Sequence, residues 1–168
     1  MATLYLHIPF CKRICSYCDF YKVGAVELLP SVCEAMQREM TERRAYLRDK
    51  HLTSIYFGGG TPSLVEPDTI QRLINHAHSL FDCSTIEEIT LEANPDDLTE
   101  EYVARLSDTS VGRISLGVQS FDDQALRLMN RRHTAHEAEE AVRRLRRAGF
   151  EKISIDIIFG IAGFGGSS

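Results

Sequence analysis

The chain has 168 residues, 43% of them apolar and 26% charged, the material of one ordinary domain with a sizeable core. Its formal net charge of −5 argues against a nucleic-acid binder, because phosphate contacts want a basic surface. No apolar run approaches the ~20 residues of a membrane span. The opening "MATLYLHIPFC" lacks the basic head and long apolar stretch of a signal peptide, so a cytoplasmic location with reduced thiols is expected. Five cysteines in such a compartment suggest metal or catalysis before disulfides.

In chain order, "TLYLHI" (3–8) reads as a first strand, and a loop with Cys11, Cys15 and Cys18 follows it. A long helical pattern puts Leu29, Val32, Met36, Met40 and Leu47 on one face. "TSIYF" (53–57) is a second strand and runs into "GGGTP" (58–62). A helix opened by Pro67 spaces Ile70, Leu73, Ile74, Ala77 and Phe81 three to four apart. "EITLEA" (88–93) is a third strand, and Thr99 N-caps a helix with Glu100 and Glu101 at its positive end. "RISLGV" (113–118) is a fourth strand, followed by a short helix over about 122–130. Thr134 and Glu137 then form a capping box for a helix with an apolar stripe, which Gly149 ends. The run Arg143-Arg144-Leu145-Arg146-Arg147 on that helix reads as a solvated face. "KISIDIIF" (152–159) is a fifth strand, and residues 161–168 form a Gly/Ser-rich tail expected to be a disordered end or truncation, leaving 1–160 as the core.

Such alternation predicts an α/β fold with a parallel sheet and right-handed crossovers. One strand face is apolar throughout: Leu6 and Ile8, Ile55 and Phe57, Ile89, Leu91 and Ala93, Ile114, Leu116 and Val118, Ile153, Ile155 and Ile157. The other is small or polar or carries Tyr5, His7 and Tyr56. A sheet between two helix layers would be apolar on both faces. A curved, barrel-like sheet with helices outside and a polar hollow inside fits better. Five strands with a polar inner face leave such a barrel unfinished, so a continuation is expected.

In parallel α/β folds ligands sit at the carboxyl ends of the strands, and the unusual residues fall there: the cysteine loop, the glycines, Glu92 to Pro95, Gln119, Ser120 and Asp156. The spacing Cys-x3-Cys-x2-Cys lets three thiolates face one small object. An iron–sulfur cluster with one iron left open is the favoured guest; zinc with His7 or Asp19 as fourth ligand, and plain structural thiols, are the alternatives. Cys33 and Cys83 stand alone and read as small hydrophobes. The three glycines bare the backbone to a flat ligand, so that a side chain at Gly60 is expected to block that ligand without disturbing the cysteines.

"YLHIPFCKRICSYCDFY", "YFGGGTPS", "ITLEANPDDLT", "ISLGVQSFDD" and "ISIDIIFG" together resemble the radical S-adenosylmethionine (SAM) superfamily. Within it they resemble the branch of oxygen-independent coproporphyrinogen III oxidases and HemW-type haem chaperones. The resemblance implies a partial (β/α)6-type barrel, truncated after about the fifth strand. It implies a 4Fe–4S cluster on Cys11, Cys15 and Cys18, with SAM chelating the open iron by its amino and carboxylate groups. One electron then breaks the bond from sulfonium to C5′ and gives a 5′-deoxyadenosyl radical. Tyr17 resembles the aromatic whose backbone touches adenine. Gly59, Gly60 and Thr61 match the motif that meets SAM's amino group, and Glu92 a carboxylate facing SAM. Tyr5, Gln119, Arg131 and Asp156 match further SAM-pocket positions in the oxidase branch. Their structural alternatives are a strand cap for Gln119, a pairing of Arg131 with Asp122 or Asp123, and a buried acceptor role for Asp156. The oxidase branch carries another cysteine two residues after the third ligand; Phe20 stands there, which resembles the chaperones. The implied partners are SAM, haem or a porphyrin, an electron-donor protein and a haem-acceptor protein, with haem residues expected beyond this chain. A non-catalytic metal-binding fragment is the remaining alternative.

Overall fold

A computed structural model describes residues 2–47 and 50–161, so the expected tail lies outside the described residues from 162 onward. Five strands, β1 (Ala2–Ile8), β2 (Leu52–Gly59), β3 (Glu88–Ala93), β4 (Arg113–Gln119) and β5 (Lys152–Ile157), form one sheet in the order β1-β2-β3-β4-β5. Every neighbouring pair is parallel. The helices that return the chain between strands are α1 (Leu29–Glu42), α2 (Pro67–Leu80), α3 (Glu100–Ser107), α4 (Asp123–Leu128) and α5 (Ala135–Arg147). The sheet is an unclosed wall with β1 and β5 at its edges.

The two-residue alternation of the strands separates the faces. Ile8, Ile55, Phe57, Leu91, Ile114, Leu116 and Val118 are fully buried in one continuous core with Ile70, Leu73, Ile74 and Ala77 of α2 and Ala138, Ala141 and Leu145 of α5. Each large side chain so buried contributes roughly 1.5–3 kcal/mol. The helix starts follow local chemistry. Thr134 Oγ1 accepts from Glu137 N (3.2 Å) while Glu137 Oε2 accepts from Thr134 N (2.7 Å), the capping box expected for α5. Thr99 Oγ1 accepts from Tyr102 N at the start of α3, and Asp122 Oδ1 accepts from Gln124 N and Ala125 N at the start of α4.

Leu47, the end of β5 and its outer isoleucines differ from the sequence reading. Leu47 lies outside α1, which ends at Glu42 and passes into turns at 43–46, yet it still packs against the core. β5 stops at Ile157, because the chain turns there to lay Ile158 and Ile161 on Ala125, Leu126 and Met129. Ile155 and Ile157, placed with the helix-covered face, are 42% and 43% exposed: no described helix follows β5 to cover them. The arginine run on α5 is the solvated face expected, with Arg143, Arg146 and Arg147 exposed and Arg144 half-buried, and its members form surface ion pairs. Arg144 and Arg147 share Glu100 of α3 (3.1 and 2.8 Å), and Arg143 pairs with Glu139 and Glu140.

Candidate functional site

The cysteine loop leaves β1 at Ile8 and is pinned from several sides. Cys11 N donates to Val23 O (3.1 Å) and Val23 N to Pro9 O (2.7 Å), which closes the loop on itself. Ser16 N and Oγ donate to Met129 O and Leu128 O (3.2 and 3.0 Å), and Asn130 Nδ2 donates to Ile14 O (2.7 Å), which fix it to the end of α4. Lys12, between the first two cysteines, reaches Asp97 Oδ1 at 2.9 Å. Asp97, its side chain 2% exposed, also takes Arg132 Nη2 on Oδ1 (3.0 Å) and Ser63 Oγ on Oδ2 (3.0 Å). One buried carboxylate thus ties the cysteine loop, the turn after β2 and the segment before α5 together.

The glycines have a job that the sequence reading did not foresee. A Cβ on Gly60 would lie 2.7 Å from Phe10 O and 2.9 Å from Pro9 C, and one on Gly59 would lie 2.7 Å from the His7 ring. Gly59 also has φ +115°, a backbone conformation that side chains resist. Gly60 N donates to Ile8 O at 2.7 Å. The glycines let the end of β2 press against the root of the cysteine loop, as well as lining the cavity beside it.

That cavity, about 340 Å³, opens at the carboxyl ends of the strands. Of the twelve candidate residues, Cys11, Cys15, Cys18, Tyr17, Gly59, Gly60, Thr61, Glu92, Gln119, Arg131 and Asp156 line it, and Phe20 and Asn94 join them. Tyr5 stands off its wall: its hydroxyl meets His7 Nδ1 (3.0 Å) and its ring stacks on Tyr56 at 6.0 Å. Glu92 accepts from Tyr56 Oη on one oxygen (2.8 Å) and from Gly59 N on the other (3.1 Å). Burial, and then the Glu92 carboxylate, push the Tyr56 phenol up to about 12, so it stays a donor. Arg131 does not pair with Asp122 or Asp123. It donates to Gly117 O (2.5 Å), Asn94 Oδ1 (2.7 Å) and Cys15 Sγ (3.4 Å). Thr61 Oγ1 donates to Cys11 Sγ at 3.4 Å. Burial pushes the Cys11 thiol up, partly offset by that hydroxyl. Asp156 is exposed rather than a buried acceptor. Gln119 holds φ +68°, a strained backbone that turns it into the cavity at the end of β4.

Sequence reasoning put Asn94 on the rim without a role of its own and passed over Asp97, Ser63 and His133. Only "NPDD" at the end of the third strand hinted at the first two. His133, 3% exposed, brackets the strained turn: its Nε2 lies 3.0 Å from Val118 O, a pure acceptor, so Nε2 carries the proton. Nδ1 is buried with no hydrogen-bond partner among the described residues. Burial, then the neighbouring Arg131 charge, lowers this imidazole from 6.5 to about 4. Above pH 6.5 the folded and unfolded chains both hold it neutral. As pH falls towards 4 the unfolded chain takes a proton that the folded chain refuses, so stability drops by roughly 3 kcal/mol. Denaturant midpoints at pH 7 and 4.5 check this; His133→Gln, which can still donate to Val118 O, is expected to flatten the difference, and an unchanged slope contradicts it.

The wall suits an iron–sulfur cluster with SAM beside it. It offers three soft thiols, a carboxylate held by a backbone N–H, and a buried Arg131 Nε with no hydrogen-bond partner among the described residues. Among the described residues no three His, Cys, Asp or Glu side chains converge on one metal ion. A closed structural zinc site needs a fourth protein ligand, and neither His7 nor Asp19 lines the cavity. A cubane asks for less convergence, because its thiolates bind different irons.

The sequence pattern of the radical SAM superfamily matches residues 5–166, and the chain belongs to that superfamily. Among curated relatives, the "Heme chaperone HemW" of Lactococcus lactis subsp. lactis (strain IL1403) is 41% identical over 161 residues, covering 96% of this chain and 42% of that protein. Its namesake in Bacillus subtilis (strain 168) is 36% identical over 165 residues, covering 97% and 44%. The solved Escherichia coli coproporphyrinogen III oxidase (HemN), described as a radical SAM enzyme, superposes with a TM-score of 0.84 at 28% identity, covering 95% of this chain and 37% of that one. The chain therefore spans less than half the length of these relatives. Among the described residues no helix is long and apolar enough to cross a membrane.

Proposed function

We propose that residues 1–160 are the cluster- and SAM-holding core of a HemW-like haem chaperone. The observation that carries this reading is the meeting of the three cysteines with Gly59, Gly60, Thr61, Glu92, Gln119, Arg131 and Asp156 around one cavity. Cys11, Cys15 and Cys18 would hold the cluster through one sulfur each, which leaves one iron for SAM. When bound, the pair supplies one-electron reductive cleavage of a sulfonium. The protein's part is placement and shielding. Glu92, already held by Tyr56 and Gly59 N, presents a carboxylate to an ammonium. The bare backbone of Gly59 and Gly60, with Thr61, and the backbone of Tyr17 would form the walls against which SAM lies, and Gln119, Arg131 and Asp156 would line the rest of its pocket. Tyr5 acts behind the wall, through its stack on Tyr56. Haem or a porphyrin, an electron-donor protein and a haem acceptor are the partners of the longer protein, acting in the cytoplasm.

A second reading, an oxidase that decarboxylates coproporphyrinogen, draws on the superposition with the Escherichia coli oxidase. Phe20 stands on the cavity wall where that branch carries a further cysteine, and this favours the chaperone. Anaerobic reconstitution tests the core claim. A brown protein with about four irons and four sulfides per chain, whose reduced EPR spectrum changes on adding SAM, is expected. A colourless protein with one zinc, or a spectrum indifferent to SAM, overturns it. A decarboxylation assay on a chain extended to its relatives' length separates chaperone from oxidase.

A further inference from the structure

We propose that Asn94 is a positioning residue that aims hydrogen-bond donors at two of the three cysteine sulfurs and thereby raises the reduction potential of the cluster. The inference rests on the reading that these cysteines carry one. Asn94 sits just past β3, between the two groups that touch sulfur. Its Nδ2 donates to Thr61 Oγ1 at 3.3 Å, and Thr61 Oγ1 stands 3.4 Å from Cys11 Sγ. A hydroxyl has one proton. With its acceptor side filled by Asn94, Thr61 is left to point that proton at the sulfur. On the other side Asn94 Oδ1 accepts from Arg131 Nη2 at 2.7 Å, which with Gly117 O fixes the guanidinium so that Nη1 lies 3.4 Å from Cys15 Sγ. The amide orientation follows from its neighbours, since the flipped amide would set NH2 against a cation.

Asn94 is itself clamped. Its backbone N–H donates to Ser63 Oγ (3.1 Å), which donates to the buried Asp97 (3.0 Å). One short side chain therefore links Cys11 to Cys15 through Thr61 and Arg131. A cluster becomes more negative on reduction, and donors on its sulfurs favour that state. Asn94 touches no sulfur and acts only through its two neighbours.

The test is an EPR-monitored redox titration of the reconstituted chain without SAM, so that altered SAM binding cannot enter. Asn94→Leu, close in size and unable to hydrogen-bond, is expected to load iron like the native chain. Its reduced-to-oxidised ratio at a fixed potential should fall about tenfold, equivalent to ~59 mV for one electron. Thr61→Val is expected to shift the same way by less, and the double variant by less than the sum of the two. A loaded Asn94→Leu with the native ratio overturns the proposal. If Asn94→Leu takes up no iron while the native chain does, Thr61→Val decides, and an unchanged ratio there overturns it equally. A native chain that takes up no iron overturns the cluster reading itself, and this role falls with it.

Discussion

Cys15→Ala is expected to take iron content from about four per chain to near zero after anaerobic reconstitution, while the melting temperature of the metal-free chain stays within a few degrees of native. Both halves follow from the loop. Among the described residues Cys15 is one of three thiols on the cavity wall, and no fourth is there to replace it: Cys33 is buried on the core side of α1, and Cys83 lies in the loop before β3. The loop's shape does not rest on the Cys15 side chain. It hangs on the backbone of Cys11 and Val23, on Ser16 and Asn130, and on Lys12 against Asp97. The Cys15 sulfur, a weak acceptor, takes Arg131 Nη1 at 3.4 Å, a hydrogen bond that alanine forgoes at small cost while Gly117 O and Asn94 Oδ1 keep the guanidinium in place. Iron analysis beside a thermal melt separates the outcomes. Full loading in Cys15→Ala refutes its place as a ligand, and a collapsed melt shows that the thiol holds the loop after all.

Gly60→Val is expected to be the most destabilising single change at the site, by about 3 kcal/mol or more. Overpacking a tight interior typically costs 1–3 kcal/mol, and here the obstacles are backbone atoms with little room to move: Phe10 O at 2.7 Å, Pro9 C at 2.9 Å and Ile8 O at 3.0 Å from the new Cβ. For a chain of this length that is a fall of roughly 6–12 °C in the melting temperature. Circular-dichroism melts of the metal-free chain check it. Iron uptake should fail alongside, because the displaced segment leads straight into Cys11. A native melting temperature with SAM affinity alone reduced would return Gly60 to the role read from sequence, a bare face for a ligand.

The strands and helices were legible because each obeys a local rule. Two-residue alternation marks β1 to β4, three-to-four spacing marks α2 and α5, and the caps at Thr99 and Thr134 are written in the chain. The rim was legible because parallel topology sends every strand end to the same side. What stayed hidden is what depends on distance across the fold. Nothing in "GGG" says which backbone it presses against. Nothing in "NPDD" says that Asn94 bridges Thr61 and Arg131, or that Asp97 gathers Lys12, Ser63 and Arg132, because those partners lie 33 to 85 residues away. The coverage of Ile155 and Ile157 failed for a related reason. Alternation gives the face of a strand, whereas burial depends on the neighbour beyond it.

Among the described residues β5 is the last strand of the sheet, with no further strand beside its outer row of amide and carbonyl groups and with Ile155 and Ile157 half bare. Such an edge is a template: whatever extended segment meets it gains a ladder of hydrogen bonds and a greasy patch at once. Lys152 and Asp156 are its only charged residues, a thin guard against a second chain.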